Sequence, residues 1–331
     1  MLIDLPSSYA APKGKIMTSK QPVEDQFVLP YGLHAAQGLE ALHGRILPLL
    51  QQELEDISHC EDICQPRNLS TKQNEEPGFS QFAENLAAIV AISTEHTVQV
   101  LRHGQSYGIE DLWARRIKNE YDCWATIKVN GHEYYIPPKS EFCLCHFDGR
   151  LLYGADPFHL LLIDAPWPNK SAKRSGVYHQ IDIYDLFKIP VRQLLAPHGL
   201  VAVWVTNRRK IWDFVVEKLF PSWKVHLVST WIWLKITTKA KPVFRLDEPS
   251  RKPYELLLIA CDTDLHMSDT RVFSAVPDFH SRKPCLKAYF EEYMPSDYRA
   301  CELFARAVIP GWTCMGNEVI KYSWEGYYSD A

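Results

Sequence analysis

The chain has 331 residues, 46% of them hydrophobic and 23% charged, with a formal net charge of −4. That balance belongs to a globular protein with a full core and excludes a disordered chain. The negative sum excludes a nucleic-acid binder that works through its global field, so any phosphate-binding surface has to be a local basic patch. Nine cysteines, an odd number, follow an N-terminus (MLIDLPSSYAAPKGK) without the apolar core of a signal peptide. No apolar run approaches the ~18 residues of a membrane span. Free thiols in a reducing compartment, cytosol or nucleus, are the expectation.

Residues 1–26 carry Pro, Gly, Ser and Lys without periodicity and read as a mobile tail. From Leu33 to Ile57 apolar residues recur at helical spacing (Leu39, Leu42, Ile46, Leu49, Leu50, Leu54), which predicts an amphipathic helix broken at Pro48. A polar linker from Gln65 to Gly78 leads to a second expected helix, Ser80 to Ile92, and Thr97 to Leu112 reads as helical or turn-rich. CWATIKVNGHEYYIPP then alternates apolar and polar residues around Asn130-Gly131, a strong hairpin signal. FCLCHF is expected to add a third strand, making a small antiparallel sheet. Residues 27–150 are thus an accessory domain of helices and small β-structure, and residues 151–331 a second domain. Cys60 with Cys64, and Cys143 and Cys145 with His146, lack the paired spacing of a structural zinc site, so no metal is expected.

From Gly154 onward the pattern alternates β and α. HLLLI is the continuous apolar run of a fully buried strand, YDLFKIPVRQLL reads as a helix, GLVAVWVTN as a strand, and KIWDFVVEKLF as a helix. WKVHLVSTWIWLK, YELLLIAC and ELFARAVIPGW complete the set. This alternation predicts a doubly wound α/β domain, in which ligands sit outside the carboxyl ends of the strands. The residues ending those strands are Asp164 to Trp167, Thr206-Asn207, Lys235 and Ala305-Arg306.

The tetrapeptide DAPW, Asp164-Ala165-Pro166-Trp167, suits one chemical task. An exocyclic amino group on a nucleobase is a poor nucleophile because its lone pair is delocalised into the ring. A carboxylate and a fixed backbone carbonyl that accept its two N–H groups push the nitrogen towards tetrahedral geometry and aim the lone pair. Asp164 and the carbonyls of Ala165 and Pro166 supply such acceptors, and Trp167 offers a stacking wall. The competing reading is a strand-ending turn whose Asp caps local backbone groups.

DAPW resembles the DPPW signature of the N6-adenosine methyltransferase family that includes the messenger-RNA enzyme. The likeness covers roughly the last 175 residues in one collinear order: DAPWPNKSAKRS, WVTN, WIWLK, KPVFRLD, RKPYE, SRKP and ELFAR…PGW…GNEV. The resemblance implies a Rossmann-like domain that binds S-adenosylmethionine, with the amino-group motif preceding the cofactor strand in a permuted order. It implies that Ile163 and Asp164 lie beside the cofactor and Lys283 meets its carboxylate. Glu302 and Arg306 would then hold the ribose side, with Asn317 and Glu318 at the adenosine. Basic loops read as the nucleic-acid grip: Asn169, Lys170, Lys173 and Arg174 after the tetrapeptide, Arg208 to Lys210 after Asn207, and Lys235, Lys239, Lys241, Arg251 and Lys252 with Tyr254 and Glu255.

Two departures from the family stand out. Ala165 replaces a proline, and the seven-residue run from Arg306 to Trp312 is shorter than in the messenger-RNA enzyme. The implied reaction is methylation of adenosine N6 in RNA, with the internal 2′-O-methyladenosine of U2 small nuclear RNA as target, in the nucleus, by a monomer. Adenine N6 in DNA is the alternative substrate, and a noncatalytic nucleic-acid-binding scaffold is the alternative class.

Overall fold

A computed structural model of the protein describes residues 2–3, 12–13, 15–17, 40–58, 98–146, 156–168, 182–248, 251–263, 267, 270–277, 279 and 282–330. In chain order the elements are β1 (Leu2–Ile3), β2 (Lys15–Met17), α1 (Glu40–Ile57), β3 (Val98–Val100), β4 (Ser106–Tyr107), α2 (Ile109–Leu112), β5 (Arg116–Lys118), β6 (Ala125–Val129), β7 (His132–Ile136), β8 (Glu141–Leu144) and β9 (Phe158–Ile163). A 3₁₀ turn (Ile183–Lys188), α3 (Val191–Leu194) and β10 (Leu195–Val205) follow. Next come α4 (Arg209–Phe214), running through a π turn (Val215–Leu219) into α5 (Phe220–Ser222), then β11 (His226–Lys235), β12 (Tyr254–Cys261) and β13 (Thr270–Ala275). The chain closes with α6 (Lys287–Phe290), β14 (Ala300–Leu303), β15 (Thr313–Gly316) and β16 (Tyr328–Asp330). Among the described residues no helix is long and apolar enough to cross a membrane.

These elements fall into two compact units that are not contiguous in sequence. The first holds β1, α1 and the stretch Val203–Phe290; the second holds β2, the elements from β3 to Ala202, and those from Glu291 to β16. In the first unit the strands stand in the order β1-β13-β11-β12, with β13 parallel and β12 antiparallel to β11. Helix α1 lies on β13. Its inward face carries His43, Ile46, Leu50, Glu53 and Ile57, all buried and spaced three or four residues apart. Glu53 is held there by the hydroxyl of Ser274, which donates to its carboxylate at 2.9 Å.

In the second unit the order is β10-β9-β14-β15-β8-β5-β3. Strands β9, β14, β15 and β8 are parallel, with Leu303 beside both Ile163 and Met315; β5 runs the other way. The chain leaves β9 towards β10 on one side and β14 towards β15 on the other, so the β9/β14 boundary is a switch point, the place at which open α/β sheets bind ligands. The hairpin β6–β7 turns at Asn130 (φ 48°) and Gly131 (φ 86°), both left-handed, which suits the twist of the strands.

Several expected elements take another form. Pro48 sits inside α1 without breaking it, on the exposed side. Helix YDLFKIPVRQLL is instead the 3₁₀ turn and the four-residue α3, separated at Ile189-Pro190, because the proline cannot donate into a continuing helix. The stretch 97–112 holds β3, β4 and α2. FCLC is not the third strand of the small sheet: β8 pairs with β15 and β5, and the place beside β6 belongs to β4, which runs parallel to it. Phe142, Cys143 and Leu144 are all buried, the signature of a central strand covered on both faces. The stretch 1–26, expected as a mobile tail, contributes β1, paired with β13, and β2, paired with β16, among its described residues; the expected helix 80–92 and Cys60 with Cys64 lie outside the described residues.

Candidate active site

Strand β9 is apolar throughout its last four residues because both of its faces are covered, and it delivers Asp164 one residue beyond its end. The Asp164 N–H still donates to the Leu303 carbonyl at 3.2 Å, so the ladder with β14 anchors the tetrapeptide. Trp167 N–H then donates back to the Ala165 carbonyl at 2.8 Å, closing a tight turn. That bond restrains the carbonyl that a proline at position 165 would otherwise stiffen, and leaves it one lone pair. Ala165 is buried; Asp164, Pro166 and Trp167 are partly exposed.

At the neighbouring strand end, Phe304 takes a left-handed backbone (φ 62°), a costly conformation for a bulky residue and one that clusters at functional sites. Beyond it, Arg306 faces two carboxylates. Its Nη1 is 3.9 Å from Asp164 Oδ2, and its Nε donates to Glu318 Oε2 at 3.1 Å. Lys321 reaches the other oxygen of Glu318 at 3.1 Å. Burial pushes the Glu318 carboxyl up, but Lys321 and Arg306 outweigh it and hold it below the usual carboxylate range. Gly316 permits this arrangement: a Cβ there would stand 2.5 Å from the Ala305 carbonyl.

The first unit gathers a second cluster. Glu255, at the start of β12, accepts from Lys235 at the end of β11 and lies 3.3 Å from Lys283. Burial raises its pKa, yet the two ammonium groups bring it down to about 2. Lys283 lies 5.6 Å from the Trp204 ring centroid and Lys235 4.7 Å from that of Trp233, so both cations rest on indole faces. At the end of β10, the Asn207 amide donates to the Tyr254 carbonyl. Its Oδ1 and the Thr206 hydroxyl are buried without a hydrogen-bond partner.

The structure therefore brings together Asp164, Arg306 and Glu318 in one unit, and Asn207, Lys235, Tyr254, Glu255 and Lys283 in the other. Ile163 is buried in β9; Glu302 and Asn317 are partly exposed at the ends of β14 and β15. Tyr254 is buried, its hydroxyl 3.3 Å from His43 Nδ1. Arg251 stacks on Phe244, and Lys252 donates to the Glu248 carbonyl at 2.8 Å. Arg209 is paired with Asp213 at 2.6 Å. Asn169, Lys170, Lys173 and Arg174 lie outside the described residues. Sequence reasoning missed Lys321, although its spacing of three from Glu318 signals a pair. It also gave no role to Trp204 and Trp233, which in a strand look like any other core residue.

The donor set fits S-adenosylmethionine. The carboxylates and amide at the ends of β14 and β15 suit hydroxyls and a purine edge at a switch point.

The fold and these strand-end clusters define a class. Residues 158–318 match the MT-A70 family, and the chain belongs to that family. It is METTL4-like: it is 38% identical over 251 residues to the N(6)-adenine-specific methyltransferase METTL4 of Homo sapiens, an overlap of 71% of this chain and 53% of the relative. It is also 37% identical over 210 residues to the N6-methyladenosine RNA methyltransferase MTA1 of Pyricularia oryzae, covering 57% of this chain and 55% of that one. To the DNA N6-methyl methyltransferase of Caenorhabditis elegans it is 34% identical over 199 residues, with 57% and 54% covered. The chain spans about half the length of these curated relatives.

Proposed function

We propose that the chain transfers a methyl group from S-adenosylmethionine to N6 of adenosine in RNA, and that its target is the internal 2′-O-methyladenosine of U2 small nuclear RNA. The observation that supports the reaction most directly is the tetrapeptide anchored at a switch point, with the Asp164 carboxylate beside Arg306 and a restrained Ala165 carbonyl behind it. The cofactor supplies an electrophilic methyl group on a sulfonium. The protein's part is to ready the nucleophile: Asp164 accepts one N–H of the adenine amino group, the Pro166 carbonyl accepts the other, and Trp167 walls the base. Arg306, whose Nη1 is 3.9 Å from Oδ2, orients the Asp164 carboxylate for that task. Lys283 takes the cofactor carboxylate; Glu302 and Arg306 take the ribose side, and Asn317 with Glu318 the adenosine.

On this reading the motif order is permuted, the unit of catalysis is one chain, and its place is the nucleus, where small nuclear RNAs are found. A DNA substrate is the second reading, favoured by the likeness to the Caenorhabditis elegans protein. Transfer of labelled methyl to three oligomers of one sequence, carrying adenosine, 2′-O-methyladenosine or deoxyadenosine at the target, separates the two. The expected result is label that favours the 2′-O-methylated RNA and falls at least a hundredfold with Asp164→Ala. Equal or better turnover of the DNA oligomer replaces RNA by DNA; no label on any oligomer from folded protein leaves the scaffold.

A further inference from the structure

The connection between β11 and β12 carries a site that the methyl-transfer chemistry does not use. Residues 239–252 hold five cations (Lys239, Lys241, Arg245, Arg251, Lys252) and two carboxylates (Asp247, Glu248), a local charge of +3 in a chain whose net charge is −4. The first part of this loop is built, not loose. Thr237 N–H donates to the Lys241 carbonyl at 2.7 Å, Val243 N–H to the Lys235 carbonyl at 3.0 Å, and Ala240 turns the chain with φ 58°. Arg245 is tied to Asp247 at 2.6 Å, whereas Lys239 and Lys241 have no carboxylate within ion-pair distance among the described residues.

Beside Lys241 the loop and α1 form an open cavity of about 440 Å³, lined by Leu47, Gln51, Phe244 and Leu246 and by the paired Arg245 and Asp247. That volume falls in the range of roughly 300–1,000 Å³ typical of small-ligand sites. Leu47 and Gln51 stand one helical turn apart on the same face of α1, so an apolar wall and an amide come from one side and an aromatic ring from the other. Arg251 stacks on the Phe244 ring, 5.7 Å from its centroid.

We infer that this cavity holds one unpaired base of the nucleic-acid strand, stacked on Phe244 and bounded by Leu47 and Leu246, with the adjoining phosphates on Lys239 and Lys241. An aromatic ring flanked by cations, here Lys241 at the cavity and Arg251 over the Phe244 ring, is a combination that binds single strands, the ring taking a π-face and the cations the backbone. The charge argues against an apolar peptide and for a polyanion as the occupant. The inference rests on the proposed nucleic-acid substrate and adds to it a base-docking site.

The test is oligomer binding by fluorescence anisotropy, with methyl transfer measured on the same preparations. Phe244→Ala is expected to weaken binding about five- to fiftyfold, the range of one lost base stack, and Phe244→Tyr to stay close to the parent. Gln51→Glu, at an exposed helix position that tolerates substitution, is expected to weaken binding about threefold or more at low salt and less at high salt, as repulsion of a phosphate is screened. Replacing single nucleotides by abasic sites should reveal one position at which the loss and the Phe244→Ala loss do not add. If the parent protein binds and methylates the oligomer while Phe244→Ala and Gln51→Glu bind equally well, or every abasic loss adds independently, the cavity is not a base site and the proposed function stands. If Gln51→Glu changes the sedimentation mass and leaves oligomer binding intact, the occupant is another copy of the chain and the inference is wrong. A parent protein that neither binds nor methylates any oligomer overturns both readings.

Discussion

Glu255 shows how one carboxylate is held ionised by its position. Burial alone would favour its neutral form, and Lys283 and Lys235 together reverse that and lower its pKa to about 2 from an ordinary 4.5. A folded-state pKa below the unfolded one contributes stability that is complete above pH ~4.5 and is lost as the pH falls towards 2. Thermal melts of the parent and of Glu255→Gln should therefore differ by about 2 kcal/mol at neutral pH, with the gap closing below pH ~4. A gap independent of pH would mean that packing, not charge, makes the difference. Residues of this kind are only half readable in a sequence. RKPYE marked Glu255 through family likeness, but nothing within reach of position 255 along the chain named Lys235 or Lys283 as its partners, 20 and 28 residues away. The tetrapeptide was more open to reading, since the proposed chemistry draws on backbone carbonyls and a carboxylate that are consecutive.

Helix α1 is the element whose seat matters most to the first unit. His43 lies flat against Tyr254, with ring centroids 5.9 Å apart and an interplanar angle of 3°. Burial, and after it the Lys252 cation, keeps the imidazole below its usual 6.5; the Leu246 carbonyl opposes them. A histidine with a lowered folded pKa stabilises the fold above pH ~6.5 and gives that stability up as the pH falls. Melting temperatures of the parent and of His43→Phe, which keeps a stacked ring but cannot ionise, should thus converge or cross as the pH drops from 7.5 to 5.5; parallel profiles would remove the histidine from this role. The periodicity of α1 was legible because a stripe at spacings of three and four is a local property. The fate of FCLC and of YDLFKIPVRQLL was not. An apolar run fits several strand partners, and the proline splits a helix whose amphipathic pattern continues across it.

At the scale of the whole molecule, charge and cofactor are the two levers. A net charge of −4 gives no general attraction for phosphate, so the proposed nucleic-acid binding has to rest on local sets such as the +3 loop. A ligand that binds only the native state raises its stability by about 2.7 kcal/mol at a hundred times its dissociation constant. S-adenosylmethionine should accordingly raise the melting temperature by a few degrees, and Lys283→Ala or Arg306→Ala should remove that rise, each variant being compared with its own unliganded melt because both cations also hold a buried carboxylate. A rise that survives both substitutions would place the cofactor away from these residues.

By itself, the sequence determined the strands and the strand-end chemistry: the buried runs of β9, β10 and β12, the left-handed turn at Asn130-Gly131, and the carboxylate-carbonyl-indole set of DAPW. Each is written within about ten consecutive residues, because hydrogen-bonding period, turn conformation and side-chain chemistry act over that distance. Only the tertiary structure decided that Arg306 joins Asp164 to Glu318, that Glu255 lies between two lysines, and that His43 closes over Tyr254, 211 residues away. Partners so far apart are chosen by which strands lie side by side and what fills the space between side chains, and that choice belongs to the packing of the whole chain.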